Sequence, residues 1–456
     1  MKLNTAVKQP QEFTHEGARA AKIDPEKQLR RSVMACMLWE DSFYESGEDV
    51  AARIASLIPQ CRPEFVAACA YHARTDMKLR HVPLLLVREM ARLPKHKALV
   101  ARLLADVIQR PDEITEFLAI YWKDKRQPLS AQVKKGIAAA FRKFDEYALA
   151  KYNRDGGVKL RDALFLSHAK PIDAGEERYT KTERKQAEQY DLNPGERLFK
   201  RLVDGELKTP DTWEVALSAG EDKKAVFERL MAEKKLGALA LLRNLRNMHE
   251  AGVAKELVSI YAKGLNIERV LPFRFITAAR IVPQWEDILE PLMMTCLGAQ
   301  EKLPGRTALL VDVSGSMDYR LSGKGETTRM DAAMGLGVLV REVCEQAEII
   351  TFSNQVVQIA PRRGFALRDA MKNSQQHSGT YLAQAVAAVN AKFIGYDRII
   401  VITDEQSHDG IAAPCGNGYV INVASNKNGV GYGAWNHIDG WSETAIDYIR
   451  EFESTN

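Results

Sequence analysis

The chain has 456 residues, 46% of them apolar and 27% charged, with a formal charge of +4. Those values belong to a globular protein of two to four cores at roughly 150 residues each, and they exclude a fibrous or wholly disordered chain. No run approaches the ~20 apolar residues that span a bilayer, and the opening MKLNTAVKQPQEF lacks an apolar signal segment, so no membrane contact and a cytoplasmic location are expected. The six cysteines, Cys36, Cys61, Cys69, Cys296, Cys344 and Cys415, form no Cys-x-x-Cys pair. Free thiols are therefore expected rather than a zinc site or a disulfide framework.

In chain order, residues 1–25 are polar and irregular. Amphipathic helices are then predicted over Glu26–Glu40, Gly47–Ile58, Pro63–Asp76, Val82–Ala91, Lys95–Gln109 and Asp112–Trp122, from apolar residues at three- and four-residue spacing. Pro59, Pro83, Pro94 and Pro111 fall where such helices start or stop. Consecutive short helices with tight connections predict stacked hairpins of the HEAT type over residues 26–300. A polar excursion, 174–197, interrupts them.

Positive charge is concentrated in the first part of this region. Residues 51–170 carry a net charge of +11, whereas 301–456 carry −4. A local basic field attracts phosphates, although solvated helix faces look the same. Lys134 and Lys135, with Arg142 and Lys143 two turns on, align along one helix side opposite Val133, Ile137 and Phe141. Arg243 and Arg246 lie one turn apart among leucines, placed either to line an opening or to pair with acidic residues of an adjacent hairpin.

From residue 301 the pattern changes. A strand to Val313, a helix over about Met330–Gln346, a strand Glu348–Phe352 and a hairpin-like piece to Ile359 come first. A helix Leu367–Asn373, a helix after Thr380, a strand ending at Asp404, a strand Gly418–Val423 and a helix Glu443–Phe452 follow. Such alternation predicts a parallel-dominant α/β sheet, doubly wound and covered on both faces. The run TALLVDVSGSM ends in Asp312, Ser314 and Ser316, while Ser378-Gly379-Thr380 precedes a helix and RIIVITD ends in Asp404. Carboxylates and hydroxyls at strand ends are candidate ligands for a hard cation, Mg²⁺ or another divalent ion. Ser314 is in no Gly-x-Ser-x-Gly elbow, and no cluster of carboxylates suggests a two-metal nuclease, so no enzyme is expected.

Asp312, Ser314, Ser316, Thr380 and Asp404 together resemble the metal-ion-dependent adhesion site of von Willebrand factor A domains. Upstream, LSAQVKKGIAAAFRKFDEYALAKY, KLRDALFLSHAKP and LGALALLRNLRNMH, followed by such a domain, resemble the TROVE family of the Ro autoantigen and its bacterial relatives. The resemblance implies a ring of helical hairpins joined by the A domain, monomeric when closed. It implies a noncatalytic protein holding a small structured Y-like RNA on a basic outer surface and the single-stranded 3′ ends of misfolded RNAs in the ring. RNA quality control or processing is the implied setting, with an exoribonuclease or other RNA-processing protein as candidate partner. On the matching stretch, His168 falls on the motif histidine, with Lys151, Arg154, Arg161 and Lys170 as neighbouring cations. An alternative reading is a protein–protein adaptor acting through the A domain.

Overall fold

The computed structural model describes residues 13–14, 17–19, 24–35, 47–77, 79–153, 156–170, 194–267, 270, 272–298, 300–321, 326–392, 395–424, 429–431, 433–439 and 444–455. Two compact units emerge, Ala52–Gly220 and Met1–Ala51 with Glu221–Asn456. The first helices are α1 (Pro25–Ala35) and α2 (Gly47–Leu57), the latter crossing the division.

The Ala52–Gly220 unit is helical throughout its described residues. Its helices are α3 (Pro63–Thr75), α4 (His81–Arg92), α5 (Lys97–Val107), α6 (Pro111–Tyr121), α7 (Ala131–Phe141), α8 (Glu146–Tyr152), α9 (Leu160–Ser167), α10 (Pro194–Asp204) and α11 (Trp213–Ser218). Proline opens α3 and α6, where its missing N–H costs nothing. Side-chain oxygens of Ser130, Asp145 and Thr212 cap α7, α8 and α11. Helix α3 packs on α4 and α5, α5 on α7, and α7 on α9, as hairpins stacked in sequence do. Gly136 lets α7 approach α5 closely, since a Cβ there would lie 2.8 Å from Leu104 Cβ and 2.9 Å from the Ala101 carbonyl oxygen. A charge network, partly buried, ties α3 and the cap of α4 to α6: Glu113 accepts from Arg74 Nη2 at 2.6 Å, and Arg80 Nη2 reaches Asp112 at 2.6 Å. Residues 171–193, most of the predicted polar excursion 174–197, lie outside the described residues, and its end forms the start of α10.

The second unit continues with α12 (Lys223–Ala232), α13 (Ala238–Glu250), α14 (Lys255–Lys263), α15 (Phe273–Ile281) and α16 (Glu286–Gly298). The sheet then begins. Strands β1 (Leu303–Asp312), β2 (Cys344–Phe352), β3 (Val356–Gln358), β4 (Arg398–Thr403), β5 (Asn417–Asn422) and β6 (Asn436–Asp439) alternate with α17 (Arg329–Val343), α18 (Gly364–Lys372), α19 (Leu382–Lys392) and α20 (Thr444–Thr455). The strand order among the described residues is β3-β2-β1-β4-β5-β6, with only the short edge strand β3 antiparallel. Every residue of β4 is buried, as a strand covered on both faces requires. Ala308, Leu310, Ile350, Phe352, Val401 and Val420 share one core with Leu382, Ala385 and Val389 of α19.

Two details depart from the sequence reading. The predicted helix Met330–Gln346 ends at Val343, because Cys344 already pairs with Leu303 at the start of β2. Strand β6 was not foreseen; its four residues carry no alternating pattern. Among the described residues, no helix is long and apolar enough to cross a membrane.

Candidate metal centre and nucleic-acid interface

Strands β1 and β4 are parallel neighbours, with Val311 opposite Ile402, so their carboxyl ends deliver Asp312 and Asp404 to the same edge of the sheet. The chain turns back there in opposite directions, α17 leading to β2 on one side and α19 to β4 on the other. A crevice at such a reversal is where open α/β sheets bind ligands. Asp312 and Asp404 are fully buried.

Each carboxylate is held by its own loop. Asp312 Oδ1 accepts from the Ser314 backbone N–H at 2.9 Å, and Oδ2 from Thr403 Oγ1 at 2.6 Å. Ser314 Oγ lies 3.3 Å from Ser316 Oγ. Asp404 Oδ1 accepts from the Gln406 N–H at 3.2 Å, and Oδ2 from Arg329 Nη1 at 3.0 Å. The Thr380 loop is drawn in by Gly315, whose N–H donates to the Ser378 carbonyl at 2.8 Å, and by Ser407 Oγ, which donates to the Thr380 carbonyl at 3.0 Å. Gly379 is required on this loop: a Cβ would lie 2.8 Å from Asn354 Oδ1 and 2.9 Å from the Tyr381 ring.

The donor set fits a hard divalent cation. Asp312 has hydrogen bonds but, among the described residues, no ion-pair partner. Burial, and then the neighbouring Asp404 charge, push its carboxyl up to about 7. A buried carboxylate whose charge is opposed in this way, beside two hydroxyls and a second carboxylate, is suited to Mg²⁺, whose oxygen ligands combine hydroxyls, carboxylates and water.

The same unit carries a cleft of about 720 Å³ lined by α13, α15 and residues 326–327. Arg243, Arg246, Arg274 and Arg280 line it, with Glu326 as the acidic residue among them. Arg246 Nη2 meets Glu326 Oε2 at 3.0 Å, both side chains about half exposed. Arg243 and Arg246 thus face one cleft, and the acidic partner of Arg246 is Glu326, in the segment before α17, not a residue of an adjacent hairpin. Arg280 also pairs with Asp331 and donates to Thr328 Oγ1 at 3.5 Å. Arg274 and Arg280 were not singled out in the sequence, since FRFITAAR gives no hint that its cations share a cleft with α13. The cleft also exposes Leu239 and Ile281, apolar surface beside the guanidinium groups.

The other predicted cations lie in the Ala52–Gly220 unit. Lys135, Arg142, Arg161, His168 and Lys170 are exposed, and Lys134 is half-buried. Arg142 Nε donates to the Lys170 carbonyl at 3.2 Å, joining the end of α7 to the segment after α9. His168 caps α9 in the left-handed region, φ 54°, with its ring at the surface. Arg161 lies 3.6 Å from Asp162. Lys151 pairs with Glu214 at 3.4 Å. Arg154 lies outside the described residues. Lys143 does not continue the row of cations: its ammonium turns onto the Ala105 and Ile108 carbonyls at the end of α5, where burial lowers its pKa.

Comparison with known proteins places these features in context. Residues 195–378 match the TROVE domain family model. Telomerase protein component 1 of Rattus norvegicus is 24% identical over 328 residues, covering 56% of this chain, and the Mus musculus protein matches to the same degree. The chain spans only 12% of the length of either relative. The crystal structure of the Deinococcus radiodurans RO (RSR) protein superposes with a TM-score of 0.57 over 93% of this chain and 98% of that one, at 20% identity. That likeness is one of fold.

Proposed function

We propose that the chain is a TROVE protein and a noncatalytic RNA-binding one, a reading supported by the match of residues 195–378 to the TROVE model and by a fold shared with a bacterial Ro protein. Its ligands in this reading are a small structured Y-like RNA and the single-stranded 3′ ends of misfolded RNAs. The observation that carries the reading is the cleft of Arg243, Arg246, Arg274 and Arg280, because four guanidinium groups around one opening hold phosphates by charge and forked hydrogen bonds. Such contacts follow a backbone without reading its bases, and suit single strands of any sequence. Leu239 and Ile281 add apolar surface for bases that are not paired.

The structured RNA is assigned to the polar side chains on and just after α7 and α9, with Lys134, Lys135, Arg142, Arg161, His168 and Lys170 contacting phosphate and sugar. The coordination pocket of Asp312, Ser314, Ser316, Thr380 and Asp404 would hold Mg²⁺. When bound, the ion would offer an open coordination position to a partner's acidic group. The carboxylates that would hold the ion are fixed by their neighbours: Thr403 and the Ser314 N–H hold Asp312, and the Gln406 N–H holds Asp404. An RNA-processing enzyme is the class of partner this arrangement would serve in RNA quality control in the cytoplasm.

Filter binding with two RNAs tests the reading. A duplex bearing a single-stranded 3′ tail is expected to bind at least about tenfold more tightly than the blunt duplex, the tail adding phosphate contacts in the cleft. Equal affinity for the two would remove the cleft from the account.

A further inference from the structure

We propose that Arg329 is a counter-cation built into the coordination pocket, competing with a divalent ion for Asp404. The inference rests on the coordination reading of this pocket and concerns a residue outside its ligand set. Arg329 Nη1 stands 3.0 Å from Asp404 Oδ2 and 3.4 Å from the Ser316 carbonyl oxygen. The ion pair is enclosed, with the two side chains 3% and 0% exposed. Arg329 is also anchored at its backbone. It is the first residue of α17 after the cap Thr328, whose hydroxyl accepts from the Asp331 N–H at 3.1 Å, and its own N–H donates to the Tyr319 carbonyl at 3.0 Å.

The two carboxylates are therefore unequal. Asp404 already has a cation on Oδ2 and an N–H donor on Oδ1. Among the described residues, the donors to Asp312 are neutral: Ser314, with its N–H at 2.9 Å, and Thr403 Oγ1. A divalent ion entering beside Asp312, Ser314 and Ser316 meets one uncompensated carboxylate and one already neutralised. Two positive centres in a dry pocket repel strongly, because water is not there to screen them. Direct ligation by Asp404 Oδ2 thus requires the guanidinium to give way, and Arg329 weakens metal affinity while keeping the metal-free pocket from carrying two unpaired buried charges. A guanidinium serving only to orient Asp404 for the metal would have the opposite effect on affinity.

Calorimetric titration of Mg²⁺ into the full chain and its Arg329→Gln variant, with thermal unfolding in Mg²⁺ and in chelator, separates these cases. Arg329→Gln is expected to bind Mg²⁺ at least about tenfold more tightly and to gain more in Tm from Mg²⁺ than the unaltered protein. Equal or weaker binding by the variant overturns the proposal and leaves Arg329 a positioning residue. Absence of binding by both proteins overturns the coordination reading itself, and the proposal with it. Should Arg329→Gln not fold, the unaltered protein decides by arginine-selective ¹⁵N NMR. The Arg329 Nε signal shifts on Mg²⁺ addition if the guanidinium is displaced, and a signal that stays fixed while Mg²⁺ binds overturns the proposal.

Discussion

Replacing Arg31 with alanine is expected to cost about 3–5 kcal/mol of stability, the usual consequence of stranding one member of a buried ion pair. Arg31 of α1 reaches Glu405, the residue after Asp404, with Nη1 2.5 Å from Oε2 and both side chains sealed from solvent. Glu405 Oε2 also accepts from Asn422 Nδ2 at 2.7 Å and lies 2.9 Å from His437 Nε2, while Oε1 accepts from the Gly431 N–H at 2.8 Å. Glu405 adopts a left-handed backbone, φ 59°, a conformation uncommon outside glycine that this set of contacts sustains. Burial alone would raise its pKa, but the charges of Arg31 and His437 outweigh burial and hold the carboxyl down to about 2.

The sign of the pH dependence follows. A carboxyl depressed in the folded state binds fewer protons there than in the unfolded chain, so the pair's contribution is complete above about pH 5 and is lost as pH falls towards 2. The amount at stake is roughly 3 kcal/mol. Denaturant unfolding from neutral to acid pH measures both effects. Arg31→Ala should be less stable at neutral pH and lose less on acidification, whereas an Arg31→Met, Glu405→Gln double variant should recover much of the loss by leaving no charge stranded.

Charge reversal in the cleft is expected to act on binding and to spare the fold. Arg243→Glu with Arg246→Glu should weaken binding of a 3′-tailed RNA roughly a hundredfold, two charge-assisted contacts being lost and two repulsions introduced. Stability should change little, because the Arg246–Glu326 pair is half exposed and such pairs contribute at most about 1 kcal/mol. Binding of a blunt duplex should be unaffected, since its assigned contacts, Lys134, Lys135 and their neighbours, belong to the other compact unit. Filter binding of both RNAs to the double variant reads the result, and equal losses for the two would dissolve the distinction between the surfaces.

What the sequence made legible was periodic or terminal. Helices α3 to α6 were visible because their apolar residues recur at helical spacing between prolines. Asp312 and Asp404 were visible because each ends a run of buried aliphatic residues, and parallel pairing brings such ends together. The parts not visible depend on distant segments. Arg31 precedes Glu405 by hundreds of residues, and nothing in the helical pattern of α1 indicates that its arginine enters the sheet unit. Arg329 reads as an ordinary first-turn residue until Asp404 is seen beside it. Lys143 belonged to a plausible row of cations by spacing alone, but the ends of helices attract ammonium groups, and α5 ends within its reach.

The phosphate-binding account predicts one quantity above all, the response of RNA affinity to salt. Titration of the full chain with the 3′-tailed RNA across a range of KCl concentrations should give a straight line of log affinity against log salt, with a slope of about −3 or steeper, because each phosphate neutralised on a single strand contributes roughly −0.7 and each on a duplex roughly −0.9. A slope near zero would contradict it, since arginines that release no counterions are not holding phosphates.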